Sequence, residues 1–218
     1  MPEDISWDEY NAHQAGRAPR DLLLLALGLR AGPADGPADV AGDAALDGEP
    51  PVAIDLGCGE GVEVEALLAA GWSVHALDGE PAALARLADR VAAPARDRLR
   101  LHHRTFGEVA DLPQAALVHS SYALPYCPPH DFDALWRQVR AALAPGGLLA
   151  LQLFGVRDSM AGDPDMTFHD LEQVKGLLDG LEVLHWREED APGTSFTGPK
   201  HWHVFHVVAR RPPTAPAG

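Results

Sequence analysis

Short apolar runs alternate with amphipathic stretches from residue 51 to residue 210, and glycine or proline marks most of the transitions. The apolar runs predict buried strands, which would lie at 51–56, 72–78, 99–103, 115–120 and 148–154. Apolar residues recur at helical spacing between these runs and predict helices over 60–70, 81–91 and 131–143. A helix at 168–179 and strands at 181–187 and 202–210 complete the pattern.

Strands that alternate with helices of this length need crossover connections, so the pattern predicts an α/β fold with a mostly parallel sheet and helices on both faces. The last two strands differ, because only a predicted loop at 188–200 joins them. Without a crossover helix they should form a hairpin. The final strand is therefore expected to be antiparallel in an otherwise parallel sheet.

The N-terminal part has a different pattern. Residues 5–29 predict one or two short helices, interrupted near 16–19, with Asp21 as the cap of the second helix. Residues 31–50 are rich in Gly, Pro, Ala and Asp, which favours a mobile surface connector or a helix around 40–46. The expected organisation is a helical cap with its connector at 1–50, a main domain at 51–211 and a tail at 212–218.

Composition excludes several classes of function. The 218 residues include 17 Lys+Arg and 32 Asp+Glu, for a formal net charge of −15, whereas nucleic-acid-binding proteins usually present a basic face. The longest apolar run, at 22–29, is shorter than the about 20 residues that a bilayer span needs, and the acidic N-terminus is unlike a signal peptide. Cys58 and Cys127 cannot build a disulfide framework and are expected to be packing residues. The composition thus predicts a soluble, cytoplasmic protein that binds neither nucleic acid nor membrane.

A glycine-rich loop supplies the sharpest chemical signal. The segment DLGCGEG, residues 55–61, follows the first predicted strand and begins the first helix, where glycines let the backbone turn tightly and approach a ligand. A dinucleotide-binding loop would have its third glycine at position 62, which is Val62 here. Asp55 and Glu60 make the loop acidic and favour a ligand with a positive centre. Asp78 ends the second strand, where a carboxylate can accept hydrogen bonds from both hydroxyls of a ribose.

The motif AIDLGCGEG at 53–61, with the alternation over 52–210, resembles the class I S-adenosylmethionine-dependent methyltransferases. Segments 120–136, 143–159, 167–170 and 200–211 resemble the tellurite-resistance-type branch of small bacterial methyltransferases. The resemblance implies a Rossmann-like seven-stranded sheet of order 3-2-1-4-5-7-6 with an antiparallel last strand, in agreement with the predicted hairpin. It also implies S-adenosylmethionine as the cofactor.

The same resemblance implies contacts between the cofactor and four loops. These contacts are Asp55, Gly57, Gly59 and Gly61 at the methionine part, Asp78 and Gly79 at the ribose, Thr105 and Phe106 at the adenine, and Ser120, Ser121 and Tyr122 beneath the transferred methyl group. Many relatives have an acidic residue after strand three that accepts from the adenine amino group. This chain has none there before Glu108.

The acceptor should bind outside the carboxyl ends of the strands, as ligands of open parallel sheets do. The residues expected to contact it are Trp7 and Tyr10 from the N-terminal cap, acting as a lid, and Tyr126, Phe154 and Arg157 from the main domain. Aromatic faces stabilise a sulfonium by cation–π attraction, which suits Tyr10. Packing of an amphipathic helix onto the sheet explains Trp7 and Tyr10 equally well.

Methyl transfer is an in-line displacement at carbon, in which holding the reacting groups collinear and dry supplies much of the rate. A thiolate or a telluride needs no general base, whereas a hydroxyl or a protonated amine needs one. The candidate catalytic residues are His13, Tyr122 and His201, with His130 and His203 as further candidate bases.

His201 and His203 would share one face of the last strand and could ligate a metal. No third ligand stands at a diagnostic spacing, a solvated hairpin edge explains them as well, and no metal site is expected. Lys200 is expected to pair with the acidic residues 188–190, which are interpreted as a solvated turn, rather than with an acidic substrate.

The sequence therefore predicts an S-adenosylmethionine-dependent methyltransferase, a monomer or homodimer, that acts on a small-molecule O, N, S or metalloid nucleophile. The alternative is a non-catalytic S-adenosylmethionine- or S-adenosylhomocysteine-binding protein of the same fold, because the loop and the ribose carboxylate concern binding and not chemistry. A nicotinamide-dependent oxidoreductase is disfavoured by Val62 and by the acidic loop.

Overall fold

The computed structural model describes residues 10, 13, 14, 16–31 and 49–214. Trp7 as a lid residue and the connector or helix expected within 32–48 lie outside the described residues. In the described part, no helix combines the length and apolar character needed to cross a membrane.

Strands of the described residues form one eight-stranded mixed sheet of order β3-β2-β1-β4-β5-β8-β7, with the short β6 paired to β5. The strands are β1 (Val52–Leu56), β2 (Ser73–Asp78), β3 (Leu99–His103), β4 (Ala115–Ser120), β5 (Leu143–Gly155), β6 (Phe168–His169), β7 (Glu182–Ser195) and β8 (Gly198–Arg210). The first five are parallel, and β8 runs antiparallel to both β5 and β7. Apart from β6 this is the predicted order, and the antiparallel last strand is confirmed.

Helices cover both faces of the sheet. They are α1 (Asp21–Ala31), α2 (Val62–Ala69), α3 (Pro81–Arg90), α4 (Ala93–Arg96), α5 (Pro129–Ala142) and α6 (Leu171–Leu177), with 3₁₀ turns at Phe106–Glu108 and Leu124–Tyr126. Successive residues of β1 point to opposite faces, so Ala53 packs in the core under α1, α2 and α3, whereas Ile54 packs in the core under α5 and α6. Burial of nearly every residue of β1 and β4 explains why both strands appear in the sequence as continuous apolar runs.

Helix α1 anchors the N-terminal segment to the main domain. Leu22, Leu23 and Ala26 are buried in the core against β5 and β8. The predicted interruption near 16–19 is confirmed, since the chain is not helical there. Asp21 lies in the first turn of α1 rather than at the cap, because the carbonyl of Arg20 accepts the first hydrogen bonds, from Leu23 and Leu24.

The predicted loop at 188–200 is wrong. β7 continues to Ser195 and β8 begins at Gly198, so the two strands pair along a long two-stranded ribbon. Residues 188–190 therefore lie on a strand and not in a turn. The extension was hidden because most of its residues are exposed and it contains Pro192, which an edge strand tolerates.

Two further boundaries differ from the prediction. β5 begins at Leu143 rather than 148, because Leu143 pairs with Ala115 before an irregularity that precedes the pairing of Leu148 with Leu117. The predicted helix at 168–179 is shorter, because residues 168–169 form β6. Asp170 then caps α6 by accepting a hydrogen bond from the backbone N–H of Gln173, whose side chain accepts from Asp170 in return.

Candidate active site

A cavity of about 560 Å³, the first cavity, lies over the carboxyl ends of β1, β2 and β4. Its volume is in the range of small-molecule and cofactor sites. Loops of the main domain form most of its wall, and residues before α1 close one side of it. The lining includes Tyr10, Gln14, Arg17 and Arg20, the loop 57–61, Asp55, Asp78–Glu80, Thr105–Gly107, Ser121–Ala123, Tyr126 and Asp131.

The glycine loop adopts a backbone that other residues rarely tolerate. Gly57, Gly59 and Gly61 have φ values of 70°, 50° and 76°, in the left-handed region. A Cβ added to Gly57 would lie 2.2 Å from the Cβ of Ala123, so the loop approaches the segment after β4 closely. The backbone N–H groups of Gly57 and Cys58 donate to the carbonyl of Leu77, which fastens the loop to the end of β2.

Asp78 is held at the floor of the first cavity by the same loop. Its Oδ2 accepts from the N–H of Gly59 at 2.7 Å, and its Oδ1 accepts from the N–H of Glu80 at 2.8 Å. Burial raises the pKa of the Asp78 carboxyl despite these two hydrogen bonds. The carboxylate is thus oriented beside Gly79, where an added Cβ would meet nothing closer than 3.9 Å.

The ends of β1 and β4 bring two further polar groups to this cavity. Asp55 is 2% exposed, and its Oδ1 lies 2.8 Å from Nδ1 of the buried His119. Ser121 lines the cavity, and among the described residues its buried Oγ has no hydrogen-bond partner. Ser120 does not reach the cavity, because it points to the other face of β4 and donates its hydroxyl hydrogen to the carbonyl of Leu56 at 2.8 Å.

Glu60, the second acid of the loop, is not available to a cationic ligand. It is 4% exposed and forms ion pairs with Arg86 and Arg90, at 2.7 Å and 2.9 Å. These arginines stand four residues apart on α3, on one face of the helix. The positively charged group expected of the ligand would therefore lie near Asp55 rather than Glu60.

The N-terminal segment is clamped over the first turn of α2. Arg17 donates from both terminal nitrogens to the carboxylate of Glu63, at 2.6 Å and 2.7 Å, and the backbone N–H of Arg20 donates to it at 3.2 Å. Burial on its own raises the pKa of Glu63, but the hydrogen bonds and charge of Arg17 outweigh it and leave the pKa below its ordinary value. The sequence analysis missed this clamp, since nothing in the local pattern links positions 17 and 63.

Thr105, Phe106 and Gly107 form the far end of the first cavity. Glu108 is occupied there, because its Oε2 accepts from the N–H and the hydroxyl of Thr105, at 2.9 Å and 2.8 Å. Asp131, in the first turn of α5, lines this end instead and lies against Gly107. The sequence analysis overlooked Asp131, which is distant from strand three along the chain.

A second cavity of about 530 Å³ adjoins the first. The two share Tyr10, Gln14, Arg20, Tyr122 and Tyr126 as lining residues. Its other lining residues come from the end of β5 and from the β7–β8 ribbon: His13, Phe154, Ser159, Met160, Glu189, Thr194–Thr197, Pro199, Lys200 and Trp202.

Aromatic rings form one wall of the second cavity. The Tyr122 ring makes edge contacts with Phe154 and Trp202, at centroid distances of 6.2 Å and 5.8 Å, and Tyr126 also contacts Phe154. Tyr122 has φ 56°, a strained conformation for a residue with a side chain and one that often occurs at functional sites. Burial raises the pKa of both tyrosines, so both phenols stay protonated at neutral pH.

Lys200 forms the base of this wall. Its ammonium pairs with the buried Asp158 and lies 5.0 Å and 4.6 Å from the ring centroids of Phe154 and Trp202. The predicted pairing of Lys200 with residues 188–190 is therefore wrong. The pairing of Lys200 with Asp158 could not be predicted from the sequence, because Asp158 is 42 residues away and belongs to the segment after β5.

His201 and Arg157 lie outside both cavities. Nε2 of His201 is 2.7 Å from Oδ1 of Asp190, and Arg157 pairs with Glu188 and Asp190 at 2.8 Å and 2.7 Å. The part of β7 that extends past 187 places Glu188 and Asp190 beside His201 and Arg157. Both side chains therefore pair there and not at the expected acceptor site. The structure thus gives no support to a catalytic role for His201 or a substrate contact for Arg157.

His203 is buried rather than at a solvated edge, and Nε2 lies 3.0 Å from Glu188. Ligand atoms of Glu188, Asp190 and His203 lie within 4.8 Å of one another, a spacing that a metal ion would accept. The guanidinium of Arg157 hydrogen-bonds all of these groups. The Arg157 guanidinium therefore already supplies the positive charge in this cluster.

Of the candidate histidines, His13 reaches the second cavity, where its ring lies 4.9 Å from that of Phe196. His130 is exposed, lines neither cavity and lies 3.5 Å from Asp131. Both cysteines are buried, as expected, and burial raises the pKa of the Cys58 thiol and brings the pKa of the Cys127 thiol to about 12.

Residues 53–147 match the sequence profile of a family described as methyltransferase domain. They span the glycine loop, Asp78 and the segment after β4. This stretch of the chain is therefore similar to a methyltransferase domain. The match supports the predicted methyltransferase class, and the predicted Rossmann-like fold is confirmed. No curated protein sequence matches the chain.

Solved structures share the fold of this methyltransferase domain. TehB from Haemophilus influenzae is 17% identical with a TM-score of 0.62, and the match covers 78% of this chain and 60% of TehB. N-methyltransferase NodS from Bradyrhizobium japonicum, in complex with S-adenosyl-L-homocysteine, is 17% identical with a TM-score of 0.57, covering 78% of this chain and 82% of NodS. The 1,6-didemethyltoxoflavin-N1-methyltransferase of Burkholderia thailandensis, with 1,6-didemethyltoxoflavin and S-adenosylhomocysteine bound, is 19% identical with a TM-score of 0.54, covering 76% of this chain and 72% of that one.

The first cavity of the methyltransferase domain fits S-adenosylmethionine chemically. Asp78 presents a carboxylate that can accept from ribose hydroxyls, Asp55 presents one that can face an ammonium, and the Ser121 hydroxyl has no partner among the described residues. At Gly79, after the end of β2, an added Cβ would meet nothing closer than Thr105 at 3.9 Å. Each of these features is a polar group or a space that a bound cofactor would use.

Proposed function

We propose that this protein transfers a methyl group from S-adenosylmethionine to a small-molecule acceptor by in-line displacement. The observation that carries the proposal is the pair of adjoining cavities, which share Tyr10, Arg20, Tyr122 and Tyr126 as a common wall. A donor in the first cavity can then face an acceptor in the second across a short opening. Holding donor and acceptor on the two sides of that opening would bring the reacting atoms into line.

The cofactor would be held by four loops. Asp78 accepts from the ribose hydroxyls, Asp55 attracts the ammonium of the methionine part, and the Ser121 hydroxyl bonds to the same part. Thr105 and Phe106 would border the adenine, and Asp131 would accept a hydrogen bond from its amino group. In many relatives an acidic residue after strand three makes that contact. The lining of the first cavity supports each of these assignments.

When bound, S-adenosylmethionine supplies an electrophilic methyl carbon next to a sulfonium. The chain's own contribution is to orient the acceptor and exclude water, for which the rings of Tyr122, Tyr126, Phe154 and Trp202 are suited. Burial raises the pKa of the Tyr122 phenol, so at neutral pH it stays protonated and acts as a wall and hydrogen-bond donor rather than as a base. His13 is the group at the rim that can take a proton from a hydroxyl or ammonium acceptor.

The acceptor would be a small molecule rather than nucleic acid. The net charge of −15 disfavours a polyanion, and the cavity volume of about 530 Å³ suits a metabolite. Residues 1–50 are proposed to act as a cap, because Tyr10, Gln14 and Arg20 of this segment line both cavities.

Calorimetric titration with S-adenosylmethionine and S-adenosylhomocysteine tests the cofactor part of the proposal. Wild type should bind both, and Asp78→Ala should lose about 10- to 100-fold in affinity, because each hydrogen bond to a charged group contributes about 1.5–3 kcal/mol. Asp89→Ala, which removes an exposed carboxylate from α3, is the matched control and should bind as wild type does. Absence of binding, or equal binding by Asp78→Ala, would contradict the proposal.

A second experiment separates the enzyme from a non-catalytic binding protein. Mass spectrometry can follow conversion of S-adenosylmethionine to S-adenosylhomocysteine with a panel of O, N, S and metalloid nucleophiles. Turnover with any acceptor, abolished in Asp78→Ala, supports transfer. Tight binding of the cofactor without turnover across the panel would favour the binding protein.

A further inference from the structure

Arg20 has an unusual position at the junction of the two cavities. Its guanidinium carbon lies 4.6 Å from the centroid of the Tyr122 ring, and the side chain lines both cavities. Within the described part of the chain, its guanidinium forms neither an ion pair nor a hydrogen bond, and its buried Nε has no partner. Its backbone is fixed, because its N–H donates to Glu63 at 3.2 Å. The structure thus presents an oriented cation with open donors to the ligand space.

The other strongly charged groups of the second cavity are compensated. Lys200 pairs with the buried Asp158. Glu189 pairs with Arg187. Among the described lining residues, Arg20 therefore contributes the positive charge that lacks a counter-charge. In a chain with a net charge of −15, such a group marks a local exception to the acidic surface.

We propose that the acceptor is an aromatic carboxylate, or a similarly flat molecule with an anionic oxygen group, and that Arg20 binds the anionic group. This inference rests on the proposed methyltransferase function and names its substrate class. A planar guanidinium matches a carboxylate with two parallel hydrogen bonds. The rings of Tyr122, Phe154 and Trp202 offer edge and face contacts to a flat body beside it. An anionic acceptor also balances the positive charge of the sulfonium across the opening.

Matched acids and amides test this assignment directly. The probes are 4-hydroxybenzoate and indole-3-acetate, each compared with its amide, titrated into protein saturated with S-adenosylhomocysteine. Wild type should bind at least one acid about tenfold or more tightly than its amide. Arg20→Gln should remove that preference. Equal affinity of acid and amide for wild type, no measurable binding of either acid, or an unchanged preference in Arg20→Gln would overturn the proposal.

Arg30→Gln is the matched control. Arg30 also stacks on an aromatic ring, with its guanidinium carbon 4.8 Å from the centroid of Trp72, but it lines neither cavity. It lies in the last turn of α1, the helix that begins directly after Arg20. Arg30→Gln should retain the full preference for the acid, and loss of the preference in this variant would contradict a specific role for Arg20.

The carboxylate that Arg20 binds could also belong to the methionine part of the cofactor. A second set of titrations distinguishes the cofactor from the acceptor as the source. S-adenosylhomocysteine carries that carboxylate, whereas 5′-methylthioadenosine lacks it. If Arg20 serves the acceptor, Arg20→Gln should change the affinity for both nucleosides by less than about threefold. A selective loss of S-adenosylhomocysteine affinity would assign Arg20 to the cofactor and overturn the proposal.

Failure of the proposed function has a different signature. If wild type does not bind S-adenosylhomocysteine, the donor assignment fails, while the acid–amide comparison can still be run on the protein alone. A preference for the acid that depends on Arg20 would then support the anion site without a methyltransferase role.

Discussion

The clamp between Arg17 and Glu63 should control how long the cofactor stays bound. Its two charge-assisted hydrogen bonds, at 2.6 Å and 2.7 Å, join a residue before α1 to the first turn of α2, at the rim of the first cavity. The Glu63 side chain is 3% exposed and that of Arg17 is 26% exposed. Each bond to a charged group contributes about 1.5–3 kcal/mol, but the partly exposed arginine recovers water when released, so we expect about 2 kcal/mol in total.

Arg17→Gln should therefore release the segment before α1 and raise the dissociation rate of S-adenosylhomocysteine about 30-fold, since 1.4 kcal/mol corresponds to a factor of ten. The fold should survive, because Leu22, Leu23 and Ala26 anchor α1 in the core independently of the clamp. Stopped-flow displacement measures the rate, and thermal unfolding monitors the fold.

A double-mutant cycle with Glu63→Gln makes the test specific. If the two side chains act as one clamp, the double variant should dissociate little faster than either single variant. An unchanged rate in Arg17→Gln, or strictly additive effects in the double variant, would refute the reasoning. Arg30→Gln, a change in α1 at a residue that lines neither cavity, should dissociate as wild type does.

The clamp also predicts a pH dependence. The pKa of Glu63 is lowered in the folded state, so its stabilising contribution is complete above the ordinary glutamate pKa and is lost as the pH falls through the lowered value. The dissociation rate should accordingly stay constant between about pH 8 and pH 6 and rise only in acid, below the ordinary glutamate range. A rise already near neutral pH would indicate that another group controls release.

Three further predictions concern the loop, the second cavity and the cysteines. Gly57→Ala should lower thermal stability and cofactor affinity together, because the added Cβ would clash at a position with positive φ. Gly79→Ala should keep the fold, because its added Cβ would meet nothing closer than 3.9 Å. Equal thermal stability of the two variants would contradict this prediction. Asp158→Asn should lower the free energy of unfolding in denaturant by about 3–5 kcal/mol, because it leaves Lys200 buried without its counter-ion. Adding Lys200→Met should recover part of this loss, and additive losses would refute the prediction. Burial raises the pKa of the Cys127 thiol to about 12, so at pH 8 it should react with a thiol reagent far more slowly in folded than in unfolded protein, and equal rates would count against this.

The sequence was sufficient for the central features of the fold because they depend on local patterns. Burial on both faces makes β1 and β4 continuous apolar runs, and the missing helix before β8 alone implies the antiparallel strand. The glycine loop and Asp78 are local as well, since the positive φ values of Gly57 and Gly61 require glycine.

The remaining features depend on contacts between distant positions. The clamp joins positions 46 residues apart, and the buried pair of Lys200 and Asp158 joins positions 42 residues apart. No local periodicity reports such pairs. The β7–β8 ribbon beyond the core is largely exposed, so its apolar pattern is weak. Its acidic residue Asp190 pairs with Arg157 and His201, and no local pattern predicts this pairing.

A crystal structure with S-adenosylhomocysteine bound tests the central claim most directly, because the account requires donor and acceptor to occupy adjoining cavities. It predicts ribose hydroxyls within about 3.2 Å of the Asp78 carboxylate and the sulfur directed at the opening beside Tyr122 and Tyr126. Nucleoside bound in the second cavity, or a sulfur turned away from that opening, would contradict the account.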